Sequence, residues 1–145
     1  MRWHILAIGK PKLEYARLGV EEYVARLKPF VPVEISFLRA APDRESAALL
    51  DRSKAMFRIV LDETGEHLPS RALASKLGEW ELHAKRDLAL IVGGADGHTP
   101  ELRQAAGWCW SLGRHTLQHE LALLVALEQL YRAYTIKTGR PYHRD

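Results

Sequence analysis

The stretch "DLALIVGGADG" (87–97) constrains the fold more than any other part of this chain. Five consecutive apolar residues, Leu88 to Val92, leave no polar side to face water. A strand of that kind must be covered on both faces, which is the condition of a parallel sheet with helices packed on each side. The run stops at Gly93-Gly94, where the backbone is free to adopt positive φ or to approach another group closely. Other segments repeat the form. "WHILAIG" (3–9) ends at Gly9, "FRIVLD" (57–62) reads as a buried strand, and "PVEISFL" (32–38) alternates, with Val33, Ile35 and Phe37 on one face. Between them lie helical patterns. Residues 13–27 place Leu13, Ala16, Leu18, Val20, Tyr23, Val24 and Leu27 at helical spacing. Residues 43–56 read as a polar amphipathic helix, and Ser70 as the cap of a helix running to about Lys85. Thr99-Pro100 reads as an N-cap followed by proline at the first helical position. "WCWSLG" (108–113) is a further strand, and residues 119–138 form the longest helix. Strand and helix in this alternation predict an α/β fold, a parallel sheet flanked by helices. Ligands of such sheets sit beyond the carboxyl ends of the strands. Gly9, "LDETGEHL", "GGADGHT" and "SLGRHTLQH" all fall there.

A length of 145 residues suits one domain, taken as 1–145. With 47% hydrophobic and 27% charged residues the chain can bury a core without disulfide or metal staples. Cys109 stands alone, so no intrachain disulfide forms, which fits a cytoplasmic location. The opening "MRWHILAIGKPK" lacks the pattern of a signal peptide, and no apolar run is long enough to span a membrane. The net charge of +3 permits a nucleic-acid partner, and it is unevenly placed. Residues 1–58 carry 11 Lys+Arg against 7 Asp+Glu, and the remainder 10 against 11. A phosphate-facing surface therefore draws on the first half. Lys137, Arg140 and Arg144 against Asp145 form a second basic patch.

The candidate chemistry separates by elimination. "GGADG" is no Walker loop, because no Gly-Lys-Ser/Thr follows, and its spacing is not that of a dinucleotide fingerprint. It exposes backbone to a ligand or makes a tight turn; the residues alone leave both open. His115 and His119 stand four apart, but the zincin pattern needs a histidine at Leu123, so no metal is expected. Cys109 between Trp108 and Trp110 reads as core, and no G-x-S-x-G elbow exists. Asp62-Glu63 and Glu66 could serve as a carboxylate pair, but read more simply as the solvated start of a turn. The apolar arc of the last helix, with Leu121, Leu124, Val125, Leu127, Leu130, Tyr131 and Tyr134, is wider than a surface helix needs. Core packing explains it, or core packing with a subunit interface to which Tyr131, Tyr134 and Arg132 belong. The tail "YHRD" (142–145) places stacking, proton-handling and charge-pairing groups together, where chain ends usually fray.

Four segments, "LDETG", "LIVGGADG", "SLGRHTLQHELALLVALEQLYRAY" and "KTGRPYHRD", jointly resemble the ribosomal RNA large subunit methyltransferase H family. "ILAIGKPK" and "EEYVARLKP" also fit, so the resemblance spans the chain. It implies a SPOUT-class methyltransferase fold with a C-terminal trefoil knot, a feature that pattern reading alone would exclude. It implies S-adenosyl-L-methionine as cofactor, bound largely through backbone groups at Leu61, Gly93 and the run Leu112, Gly113, Arg114, His115, Thr116 and Leu117. It implies a homodimer that methylates N3 of a pseudouridine in a 23S ribosomal RNA hairpin at the subunit interface, and the assembled ribosome is the expected substrate. Two departures stand close together. Gln118 occupies a place where the family commonly has proline, which would loosen the cofactor loop. Leu123 stands where an arginine is common, which would remove a cation from an RNA-facing or partner-facing surface.

Within this resemblance the tail residues take catalytic roles. The imide nitrogen of a uracil-type ring is a weak nucleophile until it loses its proton, so the site must align it and ease that loss. His143 is the natural proton acceptor. Arg144 would hold a phosphate or stabilise charge on the imide oxygens, and Tyr142 would stack on a base. Two rivals remain at this point: a non-catalytic ribosome- or RNA-binding module of the same fold, and an unknotted doubly wound nucleotide-binding enzyme.

Overall fold

A computed structural model describes residues 1–145. In chain order the elements are β1 (Arg2–Ile8), α1 (Glu14–Leu27), β2 (Val33–Leu38), a 3₁₀ turn (Pro42–Arg44), α2 (Glu45–Arg52), β3 (Phe57–Glu66), α3 (Ser70–Leu82), β4 (Asp87–Val92), α4 (Pro100–Gln104), β5 (Trp108–Trp110) and α5 (His119–Thr138). The five strands form one parallel sheet in the order β2-β1-β4-β3-β5. β4 lies at its centre, with Leu90 opposite Ile5 on one side and Ile59 on the other.

The two faces of β4 show why its sequence is unbroken. Leu88, Leu90 and Val92 point into the larger core with Trp3, Ile5 and Ala7 of β1. Ala89 and Ile91 point the other way, into a smaller core with Leu6, Val60, Leu49 and Leu102. The larger core is covered by α1, α3 and α5, and the smaller by α2 and α4. α5 lies between α1 and α3. Its Leu123, Ala126, Leu127, Leu130, Ala133 and Tyr134 are buried, and Leu124 presses on α1 at Gly19, where a Cβ would stand 2.6 Å from Leu124 Cδ1. The wide apolar arc therefore serves the sheet and two helices of the same chain, while Leu121, Leu124, Val125 and Tyr131 keep part of their surface in solvent. The indole Nε1–H of Trp3 donates to the Tyr134 hydroxyl at 2.8 Å, closing the core across α5. No helix is long and apolar enough to cross a membrane.

Three local expectations need correction. Ser70 does not cap α3: Pro69 takes the cap position, and the Ser70 hydroxyl donates to Gln129 Oε1 at 2.7 Å. The 43–56 helix is shorter, because its first residues form the 3₁₀ turn and Ser53 closes it by donating to the Leu49 carbonyl at 2.7 Å. β3 does not stop at Asp62. It runs to Glu66 through a bulge, so that both Leu61 and Glu66 pair with Trp110. Asp62, Glu63 and Glu66 thus belong to the strand and not to a turn; Asp62 is nearly buried, whereas Glu63 and Glu66 are exposed as expected. Thr99 does cap α4, its hydroxyl accepting from the Leu102 amide at 3.3 Å. Because β5 lies beyond β3, the chain leaving β4 crosses β3, and residues 61–66, 93–99 and 111–119 converge at the carboxyl rim.

Candidate functional site

These three segments enclose a cleft of about 440 Å³. Leu61, Gly93, Leu112, Gly113, His115, Thr116 and Leu117 line it, as the sequence led one to expect; Arg114 points outward and does not. Asp62, Asp96, His98 and His119, which lie in the strand-end segments but have no ligand-binding role in the sequence reading, line it too, and so does Arg103, which lies outside those segments. Topology explains the omission of Arg103: it reaches the cleft from α4, a crossover away from β3, and nothing local signals that approach.

The cleft walls are held by specific bonds. Asp62 is nearly buried beside Arg103, whose Nε–H donates to it at 2.5 Å. Burial would raise its pKa, but bonds from the Thr64 amide and from Arg103 outweigh that and bring it below the ordinary carboxylate value. The Thr116 hydroxyl donates to Glu63 at 3.0 Å, tying the 112–118 loop to β3. The Ser111 hydroxyl bonds the Gly113 carbonyl at 2.9 Å, and Gly113 itself has φ 134. A side chain there would be strained, and it would project into open space, since nothing lies within 4 Å of the Cβ position. The backbone of residues 114–117 makes no hydrogen bond within the chain. Behind the glycine turn, Glu45 lies 2.9 Å from the Cβ position of Gly94. Burial, and then Asp96, raise its pKa.

The tail lies elsewhere on the chain, and it is not frayed. The Tyr142 hydroxyl is 3.0 Å from that of Tyr23 and donates to Glu128 Oε1 at 3.2 Å. Its ring packs edge-on against Tyr131 with centroids 4.7 Å apart, under the Arg132 guanidinium. Arg132 donates to His143 Nδ1 at 3.1 Å. A guanidinium has no acceptor, so Nδ1 holds the lone pair and Nε2–H donates to Asp145 at 2.9 Å. Asp145 is also paired with Arg71 at 2.7 Å, and Arg71 and His143 together hold its carboxyl down at about 2. Arg144 is exposed. None of the four tail residues lines the cleft of its own chain. The structure thus brings together the residues of the loop and strand ends, and keeps Tyr142, His143 and Arg144 apart from them.

A family model described as "Predicted SPOUT methyltransferase" matches residues 1–143. The ribosomal RNA large subunit methyltransferase H of Thermus thermophilus is 44% identical over 144 residues, 99% of each chain. That of Deinococcus radiodurans is 43% identical over 145 residues, again 99% of each. The chain belongs to the SPOUT methyltransferase family. Solved structures share the fold at low identity. A tRNA methyltransferase from Aquifex aeolicus aligns with a TM-score of 0.58 at 15% identity, covering 99% of this chain and 77% of that one. A Legionella pneumophila methyltransferase in complex with bound SAM aligns with a TM-score of 0.51 at 17% identity, covering 92% and 66%.

In this SPOUT family member the two departures take on a physical meaning. Gln118 does not loosen the loop. Its side-chain carbonyl accepts from the Glu120 and Leu121 amides at 2.9 and 3.0 Å, capping α5 where proline would have no side-chain acceptor to offer. Leu123 is 3% exposed in the larger core. A leucine there fills the interior, and no surface cation is missing.

Proposed function

We propose that this chain is an S-adenosyl-L-methionine-dependent methyltransferase of 23S ribosomal RNA. It methylates N3 of a pseudouridine in a large-subunit hairpin on the assembled ribosome, in the cytoplasm. It works as a homodimer, in which the tail of one subunit completes the cleft of the other. The names of the full-length relatives and the SAM-bound fold neighbour support this reading. The observation that carries it is the cleft itself, where the unpaired backbone of residues 114–117 borders the open space at Gly113. A ligand held through backbone groups needs both. With Asp62 paired to Arg103, Glu63 and Asp96 leave the cleft lining net negative, which suits a cationic ligand. The crossing of the 93–119 segment over the end of β3 is where the knot implied by the resemblance would be tied.

When bound, the cofactor supplies a methyl group on a positively charged sulfur whose departure leaves a neutral thioether. The protein's task is then alignment and deprotonation. Leu61, Gly93 and the 112–117 loop orient the donor. The tail's placement outside its own cleft supports presentation to a partner subunit. There His143 Nδ1, released by Arg132, takes the N3 proton while Asp145 holds the opposite edge of the ring. Arg144, free of any intrachain partner, meets the RNA; Tyr142, whose ring is engaged by Tyr131 and Arg132 and so is not offered to a base, contrary to the sequence expectation, sets the angle of the tail. The test is transfer from labelled donor to free ribosomal RNA, separate subunits and whole ribosomes, with mapping of the modified nucleoside. N3-methylpseudouridine on ribosomes is expected. Stoichiometric RNA binding without transfer would establish the non-catalytic module instead.

A further inference from the structure

His98 has no part in the mechanism above, yet its ring fills the gap between two walls of the cleft. Nε2 stands 2.9 Å from the Leu61 carbonyl oxygen at the end of β3. A carbonyl only accepts, so Nε2 carries the proton. The ring's other edge lies against Gly93: a Cβ there would stand 2.7 Å from Cε1 and 3.0 Å from Nδ1. A Cβ at 93 would therefore displace an imidazole of this chain, before any ligand enters. Nδ1 is buried and has no hydrogen-bond partner. Burial lowers the pKa of the ring against the opposing pull of the Leu61 carbonyl, so the neutral Nε2–H form is the resident one. An unpaired buried acceptor is unfavourable, and it is retained here together with the bond that fixes the ring.

We propose that His98 is a positioning residue, a latch that ties the end of β3 to the glycine turn and thereby sets the separation of the Leu61 and Gly93 backbones across the cofactor cleft. The proposal rests on the cleft being the S-adenosylmethionine site. Its test uses S-adenosylhomocysteine binding by calorimetry to the full chain and to His98→Ala, His98→Gln, Gly93→Ala and the Gly93→Ala/His98→Ala double variant. Loss of one positioned hydrogen bond should weaken binding about tenfold in His98→Ala. The glutamine amide supplies an N–H donor, so His98→Gln should stay within about threefold of the parent. Gly93→Ala, by displacing the ring, should lose as much as His98→Ala, and the double variant no more than either. Unchanged or tighter binding by His98→Ala overturns the latch, the latter making the ring a plug, and so do additive losses. A parent protein that binds no S-adenosylhomocysteine overturns the reading of the cleft itself, an outcome distinct from these. A measurement without substitutions stands beside them: nitrogen-15 spectra should show His98 as the Nε2–H tautomer with and without S-adenosylhomocysteine. Loss of that bonded proton on ligand addition would also overturn the proposal.

Discussion

Deleting residues 142–145 separates the tail's contribution to stability from its contribution to chemistry. On the stability side the loss is bounded by what the tail touches. The Tyr142 ring packs on Tyr131 and under Arg132, and its hydroxyl bonds Tyr23 and Glu128 in a partly buried setting. An aromatic pair adds about 0.5–1.5 kcal/mol beyond burial, and each of the two hydroxyl bonds about 0.5–1.5 kcal/mol net of water. The Arg71–Asp145 pair is solvent-exposed and adds little. The deletion should therefore cost about 1.5–4.5 kcal/mol, less than the roughly 5–15 kcal/mol typical of a folded domain. Cofactor affinity should stay within about twofold, since no tail residue lines the cleft of its own chain. Methyl transfer should fall at least about 100-fold, the lower bound for losing a positioned proton acceptor. The assay is single-turnover methylation on saturating ribosomes, with sedimentation of parent and truncated chains to show whether their assembly state is the same. Transfer at the intact rate would refute the tail's part in the site. A loss of cofactor binding equal to the loss of rate would make the tail a wall of the cofactor pocket and refute the division of labour.

Tyr134→Phe should lower stability by about 1–3 kcal/mol in a urea titration with unchanged m, because the buried Trp3 Nε1–H loses its acceptor; a loss below about 0.5 kcal/mol would show that the indole finds another. Gln118→Ala should cost about 1 kcal/mol by removing the α5 cap and should weaken cofactor binding several-fold through the attached 112–118 loop; calorimetry showing unchanged affinity would uncouple the cap from the cleft. Ribosome binding should weaken as salt rises, and reversing Lys10, Lys12, Arg39 and Arg44, all exposed on the loops after β1 and β2, should flatten the dependence by about 0.7–0.9 in log–log slope for each phosphate no longer neutralised. An unchanged slope would place the RNA surface elsewhere.

The parallel sheet was legible because its strongest signals are short-range. An apolar run such as Leu88 to Val92 is possible only where both faces are covered, and the order of strands and helices follows directly. Strand order was not legible, since nothing in "WCWSLG" says that β5 pairs with β3 across the segment leaving β4. That single long-range fact creates the cleft. It also explains the misreading of Asp62: a carboxylate after a strand looks solvated until Arg103 arrives from a helix 41 residues away. The same holds for Ser70, whose hydroxyl serves Gln129 in α5 and not its own helix.

Glycines divide in the same way. Gly113 and Gly139 adopt positive φ and carry a local reason for their identity. Gly93 and Gly94 do not adopt it. A Cβ at either would meet a side chain of this chain, the His98 ring or the Glu45 carboxylate, and sequence alone cannot tell a glycine that admits a ligand from one that admits a neighbour. The family resemblance assigned Gly93 to the cofactor, and the fold sets His98 where its Cβ would be; both hold only if the imidazole and the cofactor share that wall. The tail presents the converse case. Its interactive character was visible in "YHRD", but its partners, Tyr23, Arg71, Glu128, Tyr131 and Arg132, come from three helices, the furthest pairing more than a hundred residues apart. Tyr142, His143 and Asp145 are thus fixed at a surface away from their own cleft. In the homodimer proposed above, a tail ordered there by its own chain would be in place before the partner arrives, so the ordering entropy would be spent in folding and not in assembling the site.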